Sequence, residues 1–163
     1  MEVQIRPSRL EDARSFSEAV CAVAAEQWYL ATIDGYSTEE TRAFIQKSLN
    51  GAVYQVVAAA GDSIVGACDI QRYQLKGFSH AGQLGMFVRQ EWRGQGIGRR
   101  LLLAALAAAK QAGLEKIELQ VFADNLPAIV LYESCGFQHE GLRVRGRKLG
   151  ERYQDVVMMA LWL

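Results

Sequence analysis

Three glycines that alternate with other residues in the segment Arg93–Gly98 are the clearest sign of chemistry in this chain. An apolar, strand-like segment, Ala81–Val88, precedes them, and a helical segment that starts at Arg99 and stops at Gly113 follows. Without Cβ atoms, such a turn can point several backbone N–H groups into one concave space. The N-terminus of the following helix adds partial positive charge. The sequence therefore predicts a phosphate or pyrophosphate site, without naming a reaction.

Two common nucleotide-binding motifs do not fit this turn. A dinucleotide fingerprint requires Gly-x-Gly-x-x-Gly, but Arg99 stands where a third glycine should follow Gly94 and Gly96. A P-loop requires Gly-Lys followed by Ser or Thr, which the turn lacks. The turn does match Arg-x-x-Gly-x-Gly, through Arg93, Gly96 and Gly98.

That pattern resembles the acetyl-CoA signature of the GNAT family of N-acetyltransferases. A second segment, Asn125–Phe137, is similar to the Asn-x-x-Ala-x-x-Leu-Tyr-x-x-x-Gly-Phe motif of the same family. It lies about one strand–helix unit downstream, as it does in the family. The two motifs and the strand between them cover Ala81–Phe137, about a third of the chain, and on this joint basis the chain is identified as a member of the family.

The resemblance implies a site for acetyl-CoA. Two neighbouring strands, ending at Val88 and near Phe122, are expected to splay apart so that the pantetheine arm pairs with the first strand. The pyrophosphate is expected on the amides of the turn, with charge added by two arginines. The residues that the resemblance assigns to cofactor binding are Met86, Phe87, Val88, Arg93, Gly94, Gln95, Gly96, Ile97, Gly98, Arg99, Asn125, Ala128 and Tyr132.

Tyr132 is the residue with the strongest expectation of a catalytic role. By resemblance it is the general acid that protonates the departing thiolate. Its spacing alone favours a core aromatic on an apolar helix face. Asn125 is expected to cap the helix that follows it and, by resemblance, to contact the pantetheine arm. A backbone N–H near Phe87 or Val88 is expected to stabilise the oxyanion.

The general base is not fixed by the sequence. Many family members carry a Glu on the strand before the turn, but Ala81–Val88 contains no carboxylate. His80 stands just before that strand and titrates in the useful range, so it is the first candidate. Glu26, Asp69 and a water chain are the alternatives, and His139 lies further from the expected chemistry.

The acceptor pocket is expected to involve residues from two regions. The aromatic segment from Trp28 to Tyr36 suits either core filling or a pocket wall. A basic cluster around the final hairpin suits either a solvated surface or attraction of a carboxylate; its members are Arg143, Arg145, Arg147, Lys148 and Arg152. The residues expected to bind the substrate are Glu26, Trp28, Tyr29, Tyr153 and Asp155, the last two resembling a Tyr-x-Asp of bacterial small-molecule acetyltransferases.

Periodicity predicts an α/β (α+β) domain over residues 1–163, with a mixed, mostly antiparallel sheet of about seven strands and helices on both faces. The strands are expected at Val3–Arg6, Tyr54–Ala60, Ser63–Tyr73, Ala81–Val88, Lys116–Phe122, Gln138–Lys148 and Arg152–Leu161. Capping boxes at Ser8 to Glu11 and Ser37 to Glu40 predict the starts of the first two helices.

Composition narrows the class of protein. Lys plus Arg and Asp plus Glu both number 18, which argues against nucleic-acid or membrane partners. Three well-separated cysteines (Cys21, Cys68 and Cys135) favour free thiols in a reducing compartment. No signal peptide or apolar run long enough for a bilayer is visible, so a cytoplasmic protein is expected.

The sequence thus predicts an N-acetyltransferase that moves an acetyl group from acetyl-CoA to a primary amine in a direct ternary complex, with no metal. A small-molecule acceptor, such as an amino acid or amino-acid analogue, is favoured. The alternatives are an acetyltransferase of protein N-termini or lysine, and a non-catalytic acyl-CoA-binding module, against which Tyr132 argues. A homodimer through the last strands is plausible by resemblance.

Overall fold

A seven-stranded sheet flanked by four helices makes up the computed structural model, which describes residues 2–163. The strand order is β1-β2-β3-β4-β5-β7-β6. The strands are β1 (Val3–Pro7), β2 (Val53–Ala60), β3 (Ser63–Arg72), β4 (Ala81–Val88), β5 (Lys116–Phe122), β6 (Gln138–Leu149) and β7 (Arg152–Trp162). The helices are α1 (Ala13–Ala24), α2 (Thr38–Leu49), α3 (Ile97–Gln111) and α4 (Leu126–Ser134). Each strand end lies within one residue of its predicted position.

Every neighbouring pair of strands is antiparallel except β4 and β5, which are parallel. Their pairing covers only Ala81–Leu84 against Lys116–Leu119. From Gly85 and Gln120 onward the two strands continue without pairing to each other, while each still pairs with its outer neighbour. The predicted fold class and the predicted splay are both confirmed.

The two faces of the sheet pack against different helices. On one face, called the α3 face, side chains such as Leu101 of α3 pack on Ile117 and its neighbours in a large apolar cluster that includes residues of α4. On the other, called the α1 face, Phe16 packs with Val57 and Ala67 in a smaller cluster. The smaller cluster leaves the β5–β7 end of the α1 face without a helix over it.

Two of the predicted helix starts have the expected caps. Ser37 Oγ accepts a hydrogen bond from the Glu40 amide at 3.1 Å, and Glu40 Oε2 accepts one from the Ser37 amide at 2.7 Å. Asn125 Oδ1 accepts from the Ala128 amide at 3.3 Å and so caps α4. Of these two helices, α4 borders the candidate site, through Leu131 and Tyr132.

The predicted capping box at Ser8 is wrong. Asp12, rather than Glu11, turns back to accept from the Arg9 amide at 2.8 Å. Arg6 holds Asp12 in place with two hydrogen bonds of 2.7 and 2.8 Å, which local sequence spacing could not reveal. A single 3-10 turn results, and α1 starts only after it.

The segment between α1 and α2 lies over the sheet as an irregular loop. Its aromatic residues are exposed rather than buried, at 44% for Trp28, 41% for Tyr29 and 51% for Tyr36, so the core-filling alternative is wrong. Among residues 2–163, none of the helices is both long and apolar enough to cross a bilayer. The three cysteines are free thiols, as predicted.

Candidate active site

The glycine turn presents a row of amides with no partner. Gly94 and Gly96 adopt positive φ values of 72° and 76°, and a Cβ on either would meet no atom within 4 Å. No group among residues 2–163 accepts a hydrogen bond from the six amides from Gly94 to Arg99. The helix begins at Ile97, inside the turn and two residues earlier than predicted, with Gly96 as its N-cap. The turn therefore places unpaired N–H donors at the positive end of a helix dipole.

The Arg93 side chain braces the turn rather than pointing into it. Its guanidinium forms two hydrogen bonds to Glu26, of 2.8 and 2.6 Å, and its Nε donates to the Val88 carbonyl at 2.8 Å. The Arg93 amide donates to Gln90 O. Tyr29 stacks on the guanidinium at 4.6 Å. In this arrangement neither the side chain nor the amide of Arg93 is free to hold a phosphate.

The gap between β4 and β5 exposes a defined set of backbone groups. The Ala81 carbonyl and the Arg89 amide both bond toward β3, so the odd-numbered residues of β4 pair on that side. The backbone groups of Met86 and Val88 therefore face the gap, whereas those of Phe87 face β3. Of the two amides expected to stabilise an oxyanion, only that of Val88 points into the gap.

Tyr132 lies at this gap on the α3 face. Its side chain is 7% exposed and packs against Phe137, with ring centres 5.7 Å apart. Burial raises the pKa of its hydroxyl well above the ordinary value, with a smaller contribution from Cys68. No group among residues 2–163 hydrogen bonds to that hydroxyl. Tyr132 thus has the burial of a core aromatic and an unused proton donor at its tip.

Close packing at the start of α3 keeps the gap narrow on the α3 face. A Cβ on Gly98 would stand 3.3 Å from Leu131 of α4 and 3.5 Å from Met86. Ala128 is partly buried against the same cluster. Arg99 turns away toward the end of α4, where its guanidinium bonds Ser134 at 3.2 Å. Arg99 therefore contributes its free amide to the turn, while its charge lies beside α4.

A cavity of about 230 Å³ opens on the α1 face beside the gap. It lies between the loop after α1 and strands β5, β7 and β6. The residues that line it are Tyr29, Ala31, Gln120, Phe122, Arg143, Gly146, Arg147 and Val156. Among residues 2–163, the charged groups that line it are two arginines. The cavity is thus a cationic site next to the expected position of the thioester.

Arg147 makes more contacts than Arg143, the other of these two arginines. Its Nη1 donates to Gln154 at 2.9 Å and to the Gln27 carbonyl at 3.3 Å, and its guanidinium stacks on Phe122 at 4.6 Å. Its Nη2 is buried without a hydrogen-bond partner among residues 2–163. Burial, followed by the nearby Arg152 charge, lowers its pKa. The side chain is therefore a fixed cation in the wall of the cavity.

The loop after α1 is tied to the last hairpin as well as to the glycine turn. Gln27 adopts a positive φ of 60°, and its carbonyl also accepts from Arg152 at 2.7 Å. The same Arg152 stacks on Trp28 at 3.8 Å. Trp28 therefore anchors the loop, and Tyr29, two residues from Gln27, forms part of the cavity wall.

Tyr153 and Asp155 do not reach this cavity. Side chains alternate along β7, and Gln154 and Val156 are the residues that face the cavity side. Asp155 instead accepts from the Arg145 amide at 2.7 Å, where β6 bulges and Arg145 has a positive φ of 52°. Tyr153 stacks with Arg145 at 5.2 Å. The structure gives this pair a role in shaping the hairpin, on the opposite face from the cavity.

His80 lies far from the gap. It precedes β4, stacks on Trp162, and its carbonyl accepts from the Glu115 amide. Eight residues separate it from Val88, which corresponds to roughly 26 Å along an extended strand. The structure therefore does not bring His80 together with the turn and Tyr132. Glu26 lies near the turn, but both of its oxygens are bonded to Arg93.

Sequence reasoning missed Gln120 and Phe122 as lining residues and did not single out Arg147 within the basic cluster. The alternation in β5 does divide its residues between two faces, with Leu119 and Val121 buried on the α3 face. It does not reveal that β7 and β6, rather than a helix, stand next to β5. That strand order is what assembles the cavity.

Among residues 2–163, no group of three or more His, Cys, Asp or Glu side chains is placed to hold a metal ion. The expectation that the reaction requires no metal stays a prediction.

Comparisons of both sequence and structure with known proteins support the family assignment. A model described as the Acetyltransferase (GNAT) family matches residues 18–137. The chain is 30% identical over 109 residues to the L-amino acid N-acetyltransferase AaaT of Escherichia coli (strain K12), covering 66% of this chain and 67% of that protein. It is 31% identical over 105 residues to the spermidine N(1)-acetyltransferase of Vibrio cholerae, covering 64% and 60% respectively.

A solved structure gives the same result over the full length. The acetyltransferase of GNAT family from Streptococcus pneumoniae superposes with a TM-score of 0.92 at 27% identity, covering 99% of this chain and all of that one. The family assignment made from the two motifs is confirmed. The identity of the acceptor amine, the roles of individual site residues, the oligomeric state and the cellular location stay predictions.

Proposed function

The chain belongs to the GNAT family of acetyltransferases, and from that premise we propose that it acetylates the primary amine of a small molecule that carries a carboxylate. Amino acids and amino-acid analogues form this class. Transfer takes place directly from acetyl-CoA in a ternary complex, in which binding supplies proximity. The observation that carries the proposal is the fixed Arg147, which has no acidic partner among residues 2–163, in a cavity beside the β4–β5 gap.

The residues at the turn and gap suit acetyl-CoA. The six partnerless amides from Gly94 to Arg99 match the need of a pyrophosphate for N–H donors, and the open space at Gly94 and Gly96 leaves room for it. The free backbone groups of Met86 and the free Val88 amide match an amide-bearing arm, while the Val88 carbonyl is already bonded to Arg93. These residues would hold the cofactor, with Ala128 and Leu131 forming an apolar wall on the α3 face.

Acetyl-CoA supplies an activated acetyl thioester when it is bound. The chain's own groups then have separate tasks. The Val88 amide, which faces the gap, is placed to donate to the oxygen that becomes negatively charged. The Tyr132 hydroxyl, kept protonated by burial, holds the proton that the departing thiolate takes up.

The cavity favours a carboxylate on the acceptor. Arg147 forms no salt bridge within residues 2–163, and its planar fork of donors suits a carboxylate. Arg143 adds a second positive charge to the same lining, while no acidic side chain among residues 2–163 lines the cavity. A polyamine such as the substrate named for the Vibrio relative would be repelled here, whereas an amino acid would be attracted. An amino acid is also the substrate named for the Escherichia coli relative.

Replacing Arg147 should therefore weaken the acceptor and leave acetyl-CoA unaffected. In Arg147→Gln, we expect the KM for a reactive amino acid to rise roughly 10- to 150-fold, because a hydrogen bond to a charged group contributes about 1.5–3 kcal/mol. The measurement is CoA release over a panel of amino acids, their carboxamides, spermidine and short peptides. The wild type should prefer each amino acid over its own carboxamide, and the variant should lose that preference.

Arg145→Gln is the matched control. It removes the same charge from the same hairpin, but Arg145 stacks on Tyr153 on the opposite face. It should keep the KM and the preference of the wild type. Equal use of amino acids and their carboxamides by the wild type would refute the carboxylate site. A preference for peptides or spermidine would move the assignment to one of those acceptor classes.

A further inference from the structure

Strand β4 has no carboxylate of its own, but β3 provides one beside it. Asp69 of β3 pairs in register with Gly85 of β4. Its two oxygens lie 3.6 and 3.9 Å from the point where a Cβ on Gly85 would stand. Because Gly85 has no side chain, the Asp69 carboxylate takes the space above β4. Gly85 is the first residue of β4 beyond its pairing with β5.

Asp69 shares the α1 face with the acceptor cavity. Directly opposed residues on neighbouring strands point to the same face of a sheet. The last β4–β5 pair is Leu84 with Leu119, so Gly85 stands level with Gln120, which lines the cavity. Asp69 and Gln120 therefore lie on one face, on either side of the point where the gap opens.

We propose that Asp69 is the general base of the acetyl transfer, taking the proton that the acceptor ammonium must lose before it attacks. This inference rests on the proposed function. The ammonium N–H bond breaks and its proton ends on an Asp69 oxygen. The freed nitrogen lone pair forms the C–N bond, the thioester C–S bond breaks with its electrons on sulfur, and the thiolate takes the Tyr132 proton. The nitrogen then loses its second proton, which passes through solvent and restores the Tyr132 hydroxyl. The proton on Asp69 then leaves to solvent and restores the base.

The surroundings of Asp69 suit a base that works near neutral pH. Burial raises its pKa to about 7, opposed in part by a hydrogen bond from Gln71 at 3.4 Å. On its other side, in register on β2, Gln55 is only 4% exposed, and neither polar atom of its side chain has a partner among residues 2–163. Gln55 is therefore a polar and uncharged neighbour of Asp69 on this face.

No neighbouring charge takes over this titration. The α1 side chains on this face are uncharged. The charged groups of α1 and α2 are exposed; they are Arg14, Glu18, Glu39, Glu40, Arg42 and Lys47. On β4 the facing residues are uncharged. On β5, Lys116 and Glu118 pair with each other at 2.9 Å near the start of the strand, away from the gap.

Glu26 and His80, the other two candidate bases, do not have the position and surroundings of Asp69. Both oxygens of Glu26 are held by Arg93, so protonating it would break the brace of the turn. His80 stands at the other end of β4, roughly 26 Å from Val88. Asp69 is the candidate that is near the gap, on the cavity face and without a charged partner.

The test compares Asp69→Asn with wild type in kcat/KM from pH 5.5 to 9.5. The profile is measured with two acceptors whose amine pKa values differ. A limb of the pH profile that moves with the acceptor belongs to the substrate, and a limb that stays in place belongs to the enzyme. We expect wild type to show a limb near pH 7 that is the same for both acceptors. Asp69→Asn should lose that limb and about 10²- to 10⁴-fold in rate, in the range of general-base catalysis. Its acetyl-CoA-induced rise in Tm should equal that of wild type.

A second readout needs no turnover. With a folded-state pKa near 7 and an unfolded value near 4, wild type loses stability relative to Asp69→Asn as pH rises from about 4 to 7. The Tm of Asp69→Asn should therefore exceed that of wild type above pH 7, and the difference should vanish near pH 4. Asp62→Asn, in the exposed turn between β2 and β3, is the matched control and should show no such trend.

Three results would overturn the inference. The first is an Asp69→Asn variant that keeps the wild-type rate and the limb near pH 7. The second is a His80→Gln variant that loses this limb. The third is a Tm difference that stays flat between pH 4 and 8. A wild-type protein that acetylates no amine would overturn the proposed function and with it the catalytic role, whereas the Tm series would still report whether Asp69 titrates near 7.

Discussion

Gly96→Asp should abolish the binding of acetyl-CoA while the protein remains folded. The substitution places a carboxylate among the six partnerless amides and against the positive end of α3, where a pyrophosphate would otherwise bind. Loss of two charge-assisted hydrogen bonds alone corresponds to about 3–6 kcal/mol, so we expect at least about 100-fold weaker binding. The measurement is the rise in Tm with acetyl-CoA, which should disappear, while NAD and ATP produce little shift even in wild type.

Gly51→Asp is the control for the backbone cost. Gly51 has a φ of 78°, nearly that of Gly96, and a Cβ there would also meet nothing within 4 Å. Both variants should lose similar stability from a strained left-handed residue, but only Gly96→Asp should lose the cofactor. A folded Gly96→Asp protein that binds acetyl-CoA as wild type does would rule out the turn as the pyrophosphate site.

Tyr132→Phe should reduce turnover roughly 10- to 1000-fold with nearly unchanged affinity for acetyl-CoA. The change removes only a hydroxyl that has no partner within residues 2–163, so Tm should hardly move. The loss should be limited to this range because a thiol with a pKa of about 8.5 is already a fair leaving group. Single-turnover rates together with acetyl-CoA titrations separate the two quantities.

Tyr73→Phe serves as the comparison for Tyr132→Phe. Its hydroxyl donates to Glu118 at 2.9 Å, near the start of β5 and away from the gap. Losing that hydrogen bond should cost about 1 kcal/mol of stability and leave turnover intact. If Tyr132→Phe turned over like wild type, Tyr132 would be a core aromatic and the proton for the thiolate would have another source.

The part of the site that the sequence predicts lies on contiguous segments. The glycine turn, the Asn125 cap and Tyr132 each depend on spacing within one strand–turn–helix unit, and local rules are enough to locate them. The fold class follows from the same periodicities. These features needed no knowledge of which strands are neighbours.

The rest depends on contacts between distant parts of the chain. The Arg93–Glu26 pair joins residues 67 positions apart, and Gln27 is pinned by arginines more than 100 positions away. Asp69 lies beside the gap because β3 is next to β4 and because Gly85, its partner on β4, has no side chain. His80 was a candidate base because it directly precedes β4 in the sequence. An extended strand separates its two ends widely, however, and the gap is at the other end of β4. Spacing alone contains none of this information.

The brace formed by Arg93 also bears on the entropy of binding. Its guanidinium is fixed by both oxygens of Glu26 and by the Val88 carbonyl, and its amide by Gln90. The end of β4 and the entrance to the turn are thus already held in one conformation before any ligand arrives. A ligand that meets preorganised donors loses less affinity to the ordering of loops and side chains. Much of the conformational entropy of this site has therefore been lost at folding, and the free energy of each hydrogen bond to the turn can appear almost fully as affinity.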